Sequence, residues 1–191
     1  MGDDTTAGSH SSRPTVADLA RIFQEAHSDR LILRRPNASD SAAMFRLHGD
    51  PETNRYNPAG PDPDQATSEE RLQEWLQQWR EDGYGYWVAT APPEPDVVGF
   101  GGVRRITWGD REALNLYYRL APAVWGQGYA TELARTAVGL ARVHLPHLPV
   151  IARTRASNRA SMRTAERAGL LRRPDLDTAD HLVFALGWPL P

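Results

Sequence analysis

Apolar side chains along this chain recur at two spacings, helical and alternating, and the succession of the two lays out the fold. From Thr15 onward, Val16, Leu19, Ala20, Phe23 and Ala26 fall at helical spacing, which predicts an amphipathic helix lying against the domain surface. Residues 31–35 read as a strand, Pro36-Asn37-Ala38-Ser39-Asp40 as a turn with a cap, and residues 41–48 as a short helix. Residues 57–65, with three prolines and two aspartates, predict an exposed loop. A helix starts at Thr67-Ser68-Glu69-Glu70 and carries Leu72, Trp75, Leu76 and Trp79 on one buried stripe. Three antiparallel strands follow at 84–90, 97–106 and 113–120, separated by Pro92-Pro93-Glu94-Pro95-Asp96 and a hairpin at Trp108-Gly109-Asp110. A helix over 129–143, a strand over 150–155, a helix over 158–168 stopped by Gly169 and a strand over 181–186 complete a mixed α/β order.

No internal repeat interrupts this order, and 191 residues with 40% hydrophobic content suffice for one domain with a sizeable core. The expected division is a mobile tail over 1–14, a helical extension over 15–29 and a single domain over 30–191. A formal net charge of -2 argues against a broad nucleic-acid footprint. With no cysteine there are no disulfides, thiolate metal sites or cysteine nucleophile; all 22 basic side chains are arginine, which excludes lysine covalent catalysis. His144 and His147 read as a helix end, and no cluster has metal-ligand spacing. No apolar run is long enough to span a bilayer, and Met1-Gly2-Asp3-Asp4 lacks the character of a secretory leader. The expectation is a cytoplasmic protein, monomeric or homodimeric.

The chemistry concentrates at Trp125-Gly126-Gln127-Gly128-Tyr129-Ala130, between a strand and a helix. Two glycines let the backbone turn tightly, and the free N–H groups and positive end of the new helix favour phosphate. The dinucleotide fingerprint fails because Thr131 stands at its third glycine, and no lysine follows to make a Walker loop. Further along come Asn158-Arg159-Ala160-Ser161 and Glu166-Arg167-Ala168-Gly169-Leu170.

Together these segments, with Arg30-Leu31-Ile32-Leu33-Arg34, Tyr118 and Pro122, resemble the GCN5-related N-acetyltransferase superfamily. Within it the likeness is to the branch of ribosomal-protein N-terminal acetyltransferases, in which Trp125 is the characteristic residue where the wider superfamily has Gln or Arg. The resemblance implies a twisted, mostly antiparallel sheet of about seven strands, splayed in the middle, flanked by helices and holding acetyl-coenzyme A in the gap. Trp125, Gly126, Gln127, Gly128, Tyr129, Ala130 and Thr131 would form the pyrophosphate cradle, with backbone groups of Tyr118, Arg119 and Leu120 bonding the pantetheine arm. The implied reaction is direct attack of a neutral primary amine on the thioester, with coenzyme A leaving as a thiolate.

The usual tyrosine acid falls at Ala165, so Ser161 becomes the substitute, with Asn158 capping its helix and orienting the cofactor or the serine. For Ser161, catalysis and helix capping both remain open. The usual glutamate base falls at Asn115, so another group or a water must serve, with Glu112, Glu52, Asp110 and His181 as the nearest candidates. Arg55, Tyr56, Trp108 and Tyr117 are the candidates for the acceptor pocket, set against ordinary surface or core roles. The acceptor is expected to be a protein or peptide α-amine or a small-molecule amine. The missing glutamate favours an amine of low pKa. A catalytically silent acyl-coenzyme A-binding module and a nucleotide- or phosphate-sugar-binding protein are the readings from other classes.

Overall fold

A computed structural model describes residues 13–94 and 96–189. Helix α1 (Val16–Phe23) opens with a reciprocal capping box between Thr15 and Asp18, which satisfies two amide donors at once. Strands β1 (Glu25–His27) and β2 (Ile32–Arg34) follow, then α2 (Ser41–His48), the single turn α3 (Pro51–Asn54), and α4 (Gln65–Asp82) capped by Asp64. Strand β3 (Tyr86–Thr90) leads into the long hairpin of β4 (Val97–Trp108) and β5 (Arg111–Leu120). Next come α5 (Tyr129–His144), β6 (Val150–Thr154), α6 (Arg159–Arg167), β7 (Leu171–Arg172) and β8 (Leu182–Leu186).

The strands form one sheet in the order β1-β2-β3-β4-β5-β6-β8-β7. All neighbours are antiparallel except β5 and β6, whose parallel pairing consists of Leu114↔Val150 and Asn115↔Ile151 alone. Beyond Asn115 the two strands diverge, and a V opens between their C-terminal ends. Side chains alternate across a strand, so β5 turns Leu114, Leu116 and Tyr118 toward α5 and α6, and Asn115, Tyr117 and Arg119 toward α2 and α4. Burial follows this alternation. On one face Phe23, Trp87, Leu114, Leu116, Leu133 and Ala137 belong to the main core. On the other, Met44, Leu47, Leu72, Trp75, Tyr86 and Phe100 pack together.

The structure has eight strands where about seven were expected, and it corrects the reading of residues 15–29. Helix α1 ends at Phe23, and Glu25–His27 pair with β2 as an edge strand. Ala26 matched the helical spacing by coincidence; it packs on the core from the strand. Strand β7 has two residues, one of them the exposed Leu171. Segments this short complete no hydrophobic period, and only the neighbouring strand makes them strands. Helix α4 also starts at Gln65, two residues before the predicted start. The tail expected over 1–14 falls almost wholly outside the described residues.

Helix α1 is fastened to the sheet. Phe23 is fully buried, stacks on Trp87 at 5.9 Å between centroids, and its carbonyl accepts the Trp87 Nε1–H at 2.6 Å. Gly83, at φ +78 after α4, passes directly under α1, where any Cβ would run into the Val16 carbonyl oxygen. Among the described residues no helix is long and apolar enough to cross a membrane.

Candidate active site

At the wide end of the V the chain leaves β5, makes a single 3-10 turn (Pro122–Val124) and enters α5 through two left-handed glycines, Gly126 at φ +77 and Gly128 at φ +86. Gly128 is the N-cap and offers no side chain to the first amides of the helix. The first amide to find a partner is that of Thr131, bonded to the Gly128 carbonyl at 3.0 Å. From Gly126 through Ala130 the N–H groups meet no protein acceptor among the described residues. Such a row of donors at a positive helix end is suited to an anion.

Arg30 braces this turn from behind. Its guanidinium donates to the Gln127 carbonyl at 2.9 Å and lies 4.3 Å from the centre of the Tyr129 ring. It also pairs with Glu132 in the first turn of α5, at 2.6 Å. Burial would raise the Glu132 pKa, but hydrogen bonds from Ser28 and Arg30 hold it below the usual value. The loop carbonyl is thereby engaged on one side and the amides are left open on the other. Trp125 closes the turn toward β5, its Nε1–H donating to the Leu120 carbonyl at 2.8 Å.

Across the V, α6 starts at Asn158, whose Oδ1 accepts the Ser161 amide at 3.1 Å. The Tyr118 hydroxyl reaches over from β5, donates to the Ser161 carbonyl at 2.8 Å and lies 2.9 Å from Ser161 Oγ. Burial pushes the Tyr118 phenol up to about 12, against a smaller opposing effect of its bond to Ser161. Sequence reasoning assigned only the backbone of Tyr118 to the site. Ala165, one helical turn beyond Ser161, is buried in the apolar core.

The other face of β5 carries a second polar group. Tyr117 donates its hydroxyl to His48 Nε2 at 2.9 Å, because His48 Nδ1 lies 3.2 Å from the Met44 carbonyl and can only donate there. Burial, then the nearby Arg119 and Arg71 charges, lower the His48 pKa to about 3. The imidazole is neutral at physiological pH and a weak base. Arg119 donates to Asn54 Oδ1, and Asn115 donates its amide to the Tyr86 hydroxyl at 2.6 Å. Arg55 is exposed at the rim, its guanidinium 4.9 Å from the Tyr56 ring and 5.3 Å from the Trp125 ring. Arg55 and Tyr56 thus stand beside the glycine turn.

The structure does not bring Glu112 to this assembly. Its side chain alternates to the face opposite Asn115 and Tyr117, and it pairs with Arg105 at 3.2 Å near the start of β5. Glu52 is exposed on α3 and Asp110 on the hairpin tip. His181 precedes β8, its pKa lowered by burial and by Arg153 and Arg155. Trp108 is half-buried against the far half of the sheet, with the Arg153 guanidinium 5.2 Å from its ring. Sequence reasoning missed His48, Arg30 and the Tyr118 hydroxyl. The repeated apolar period around His48 marked it only as one more position on a short helix.

The acetyltransferase (GNAT) domain family matches residues 30–171 of the chain, which include the glycine turn, both walls of the V and the start of α6. The chain belongs to the GNAT acetyltransferase family. GNAT enzymes use acetyl-coenzyme A and transfer its acetyl group to amines. A sequence relative, the uncharacterized protein YkkB of Bacillus subtilis (strain 168), is 28% identical over 148 residues, covering 75% of this chain and 83% of that protein. Among solved structures, an acetyltransferase from Agrobacterium tumefaciens str. C58 superposes with a TM-score of 0.73 at 22% identity, covering 85% of this chain and 93% of its own. RimL, a ribosomal L7/L12 α-N-protein acetyltransferase solved with coenzyme A, superposes at 0.64 and 18% identity, covering 83% and 94%. The GNAT fold is therefore shared along nearly the whole length of each of these two structures.

Proposed function

We propose that this GNAT protein binds acetyl-coenzyme A in the V between β5 and β6 and transfers the acetyl group to a primary amine of low pKa, of the α-amino type. The observation that carries this reading is the run of uncommitted amides from Gly126 to Ala130 opposite the Tyr118–Ser161 contact. The left-handed glycines leave room for a diphosphate against those amides, and the diverging edge of β5 past Asn115 leaves backbone groups for a pantetheine arm. When bound, the thioester supplies an activated acetyl group and a good leaving sulfur.

Tyr118 and Ser161 then hold the proton that the departing sulfur needs. Asn158 fixes the first turn of α6 and with it Ser161. On the acceptor face, His48 stays neutral with Nε2 occupied, so it positions Tyr117 and takes no proton. Asn115 offers an amide where the family resemblance implies a glutamate base. The amine must therefore arrive as the free base, which an α-amine of pKa about 7.7–8.0 does far more readily than a lysine side chain near 10.4. RimL, named for acetylating an α-N-protein substrate, supports the same direction.

Calorimetry with coenzyme A and with ADP tests the cofactor assignment: a clear advantage for coenzyme A is expected, and equal affinities would defeat it. A second reading, a silent acyl-coenzyme A-binding module, is favoured by the apolar Ala165 and the amide of Asn115. Thiol release from acetyl-coenzyme A across a panel of amines separates the two; tight binding without turnover on any amine would select the module.

A further inference from the structure

At the closed end of the V the acceptor face carries two arginines that the reaction does not use. Arg104 on β4 lies directly across from Asn115, and Asn115 in turn pairs with Ile151 on β6, two residues before Arg153. The register places Arg104 and Arg153 on the same face, flanking Asn115. Two strand spacings of about 4.8 Å separate Arg104 laterally from Ile151, and Arg153 follows two residues later where β6 begins to diverge from β5. Both charges act on the Tyr86 hydroxyl, working against the burial that pushes it up to about 12.

Each guanidinium sits over an aromatic ring, Arg104 at 5.2 Å from the centre of Tyr86 and Arg153 at 5.2 Å from that of Trp108. Neither pairs with a carboxylate among the described residues. Most other surface arginines near this sheet do find one: Arg105 takes Asp82 and Glu112, and Arg155 takes Asp180. The Nε of Arg104 is the one buried side-chain nitrogen among the described residues that has no hydrogen-bond partner. A buried donor without an acceptor is costly, and it marks the Arg104 guanidinium as incompletely satisfied by the protein itself.

We infer that Arg104 and Arg153 form a carboxylate clamp, and that the amine acceptor carries a carboxylate held between them while its amine faces Tyr117 and the opening of the V. The assignment rests on the acetyl-transfer reading above and narrows it to acidic acceptors. Paired N–H donors on a planar guanidinium match a carboxylate, and the two rings hold the cations in place before the ligand arrives. The same two charges repel polyamines. The carboxylate has two possible sources, an aspartyl or glutamyl side chain at a peptide N-terminus or the C-terminus of a very short peptide.

The test uses the full chain with coenzyme A present and two matched pairs of probes. One pair is an aspartyl and an asparaginyl tripeptide amide; the other is alanyl-alanine and alanyl-alaninamide. Calorimetry is expected to show the acid of at least one pair binding about tenfold tighter than its amide, and that pair identifies the source. In Arg104→Gln and in Arg153→Gln the preference is expected to shrink to about threefold or less. Arg153 is exposed, so its variant folds even where a change at Arg104 disturbs the sheet. Equal affinities within both pairs, no binding of any of the four, or a preference that survives in both variants would overturn the clamp. Because binding is read without turnover, failure of acetyl transfer itself appears separately, as loss of coenzyme A binding or of thiol release.

Discussion

The two faces of β5 build their halves of the site from different materials. On the α5 and α6 side, donors come from the main chain: the amides from Gly126 to Ala130, shaped by two left-handed glycines and braced by Arg30. On the α2 and α4 side, the same strand presents Asn115, Tyr117 and Arg119, each bonded to a side chain from another part of the chain. On the proposed reading, a cradle of main-chain groups serves one invariant ligand fragment, whereas a lattice of side chains is free to change with the acceptor. The first is demanding about backbone conformation and the second about partners.

The sharpest way to break this contrast is at Gly128. A valine there must hold φ near +86 and crowd the diphosphate, so Gly128→Val should raise the KM for acetyl-coenzyme A about a hundredfold, from strain and lost amide contacts of about 1–3 kcal/mol each. Initial rates at varied cofactor check it, and an unchanged KM would place the diphosphate elsewhere. A smaller effect is expected at the proton source. Tyr118→Phe and Ser161→Ala should each lower kcat about tenfold or more, and the double variant little further, since the two hydroxyls act as one unit. Additive losses would mean that they act independently.

On the opposite face, Tyr117→Phe removes the bond to His48 and should raise the acceptor KM about three- to tenfold while leaving coenzyme A affinity as it was. Weaker cofactor binding in that variant would merge the two halves into one. The mildest effect concerns pH. His48 is held neutral in the fold, its pKa lowered from 6.5 to about 3, so the unfolded chain binds its proton first on acidification. Its contribution to stability is present in full above about pH 6.5 and falls as the pH drops toward 3. Denaturation across that range should show a shallower slope for His48→Gln than for the parent, and identical slopes would remove His48 from the buried neutral state.

The same contrast governs what is legible in the sequence alone. The glycine turn is legible because left-handed backbone restricts residue choice locally, and two glycines between a strand and a helix mark a tight, ligand-hugging turn. The long elements are legible too: α4 and α5 run for several turns of one period, and β4 and β5 are long runs rich in aliphatic and aromatic residues on either side of a turn. Strands β1 and β7 are not, since three and two residues complete no pattern. The acceptor face stays hidden for a different reason. His48 and Tyr117 on that face are separated by 69 positions, and on the cradle side the bracing pair Arg30 and Glu132 by 102, so no local spacing announces that either pair meets. Glu112 is nominated by its nearness in sequence to Asn115, but an odd offset of three along a strand sends it to the other face.

The seam between β5 and β6 has a mechanical meaning. Ten paired positions knit β4 to β5 and five knit β6 to β8, but the two leaves of the sheet meet through only two. Main-chain pairing across the seam is slight, and the leaves are joined chiefly by the shared core in which Leu114 and Leu116 meet Val150, Ala152 and Phe184. The molecule is thus bound like a book at Leu114 and Asn115, with a short spine of hydrogen bonds and a common filling of apolar side chains between its pages.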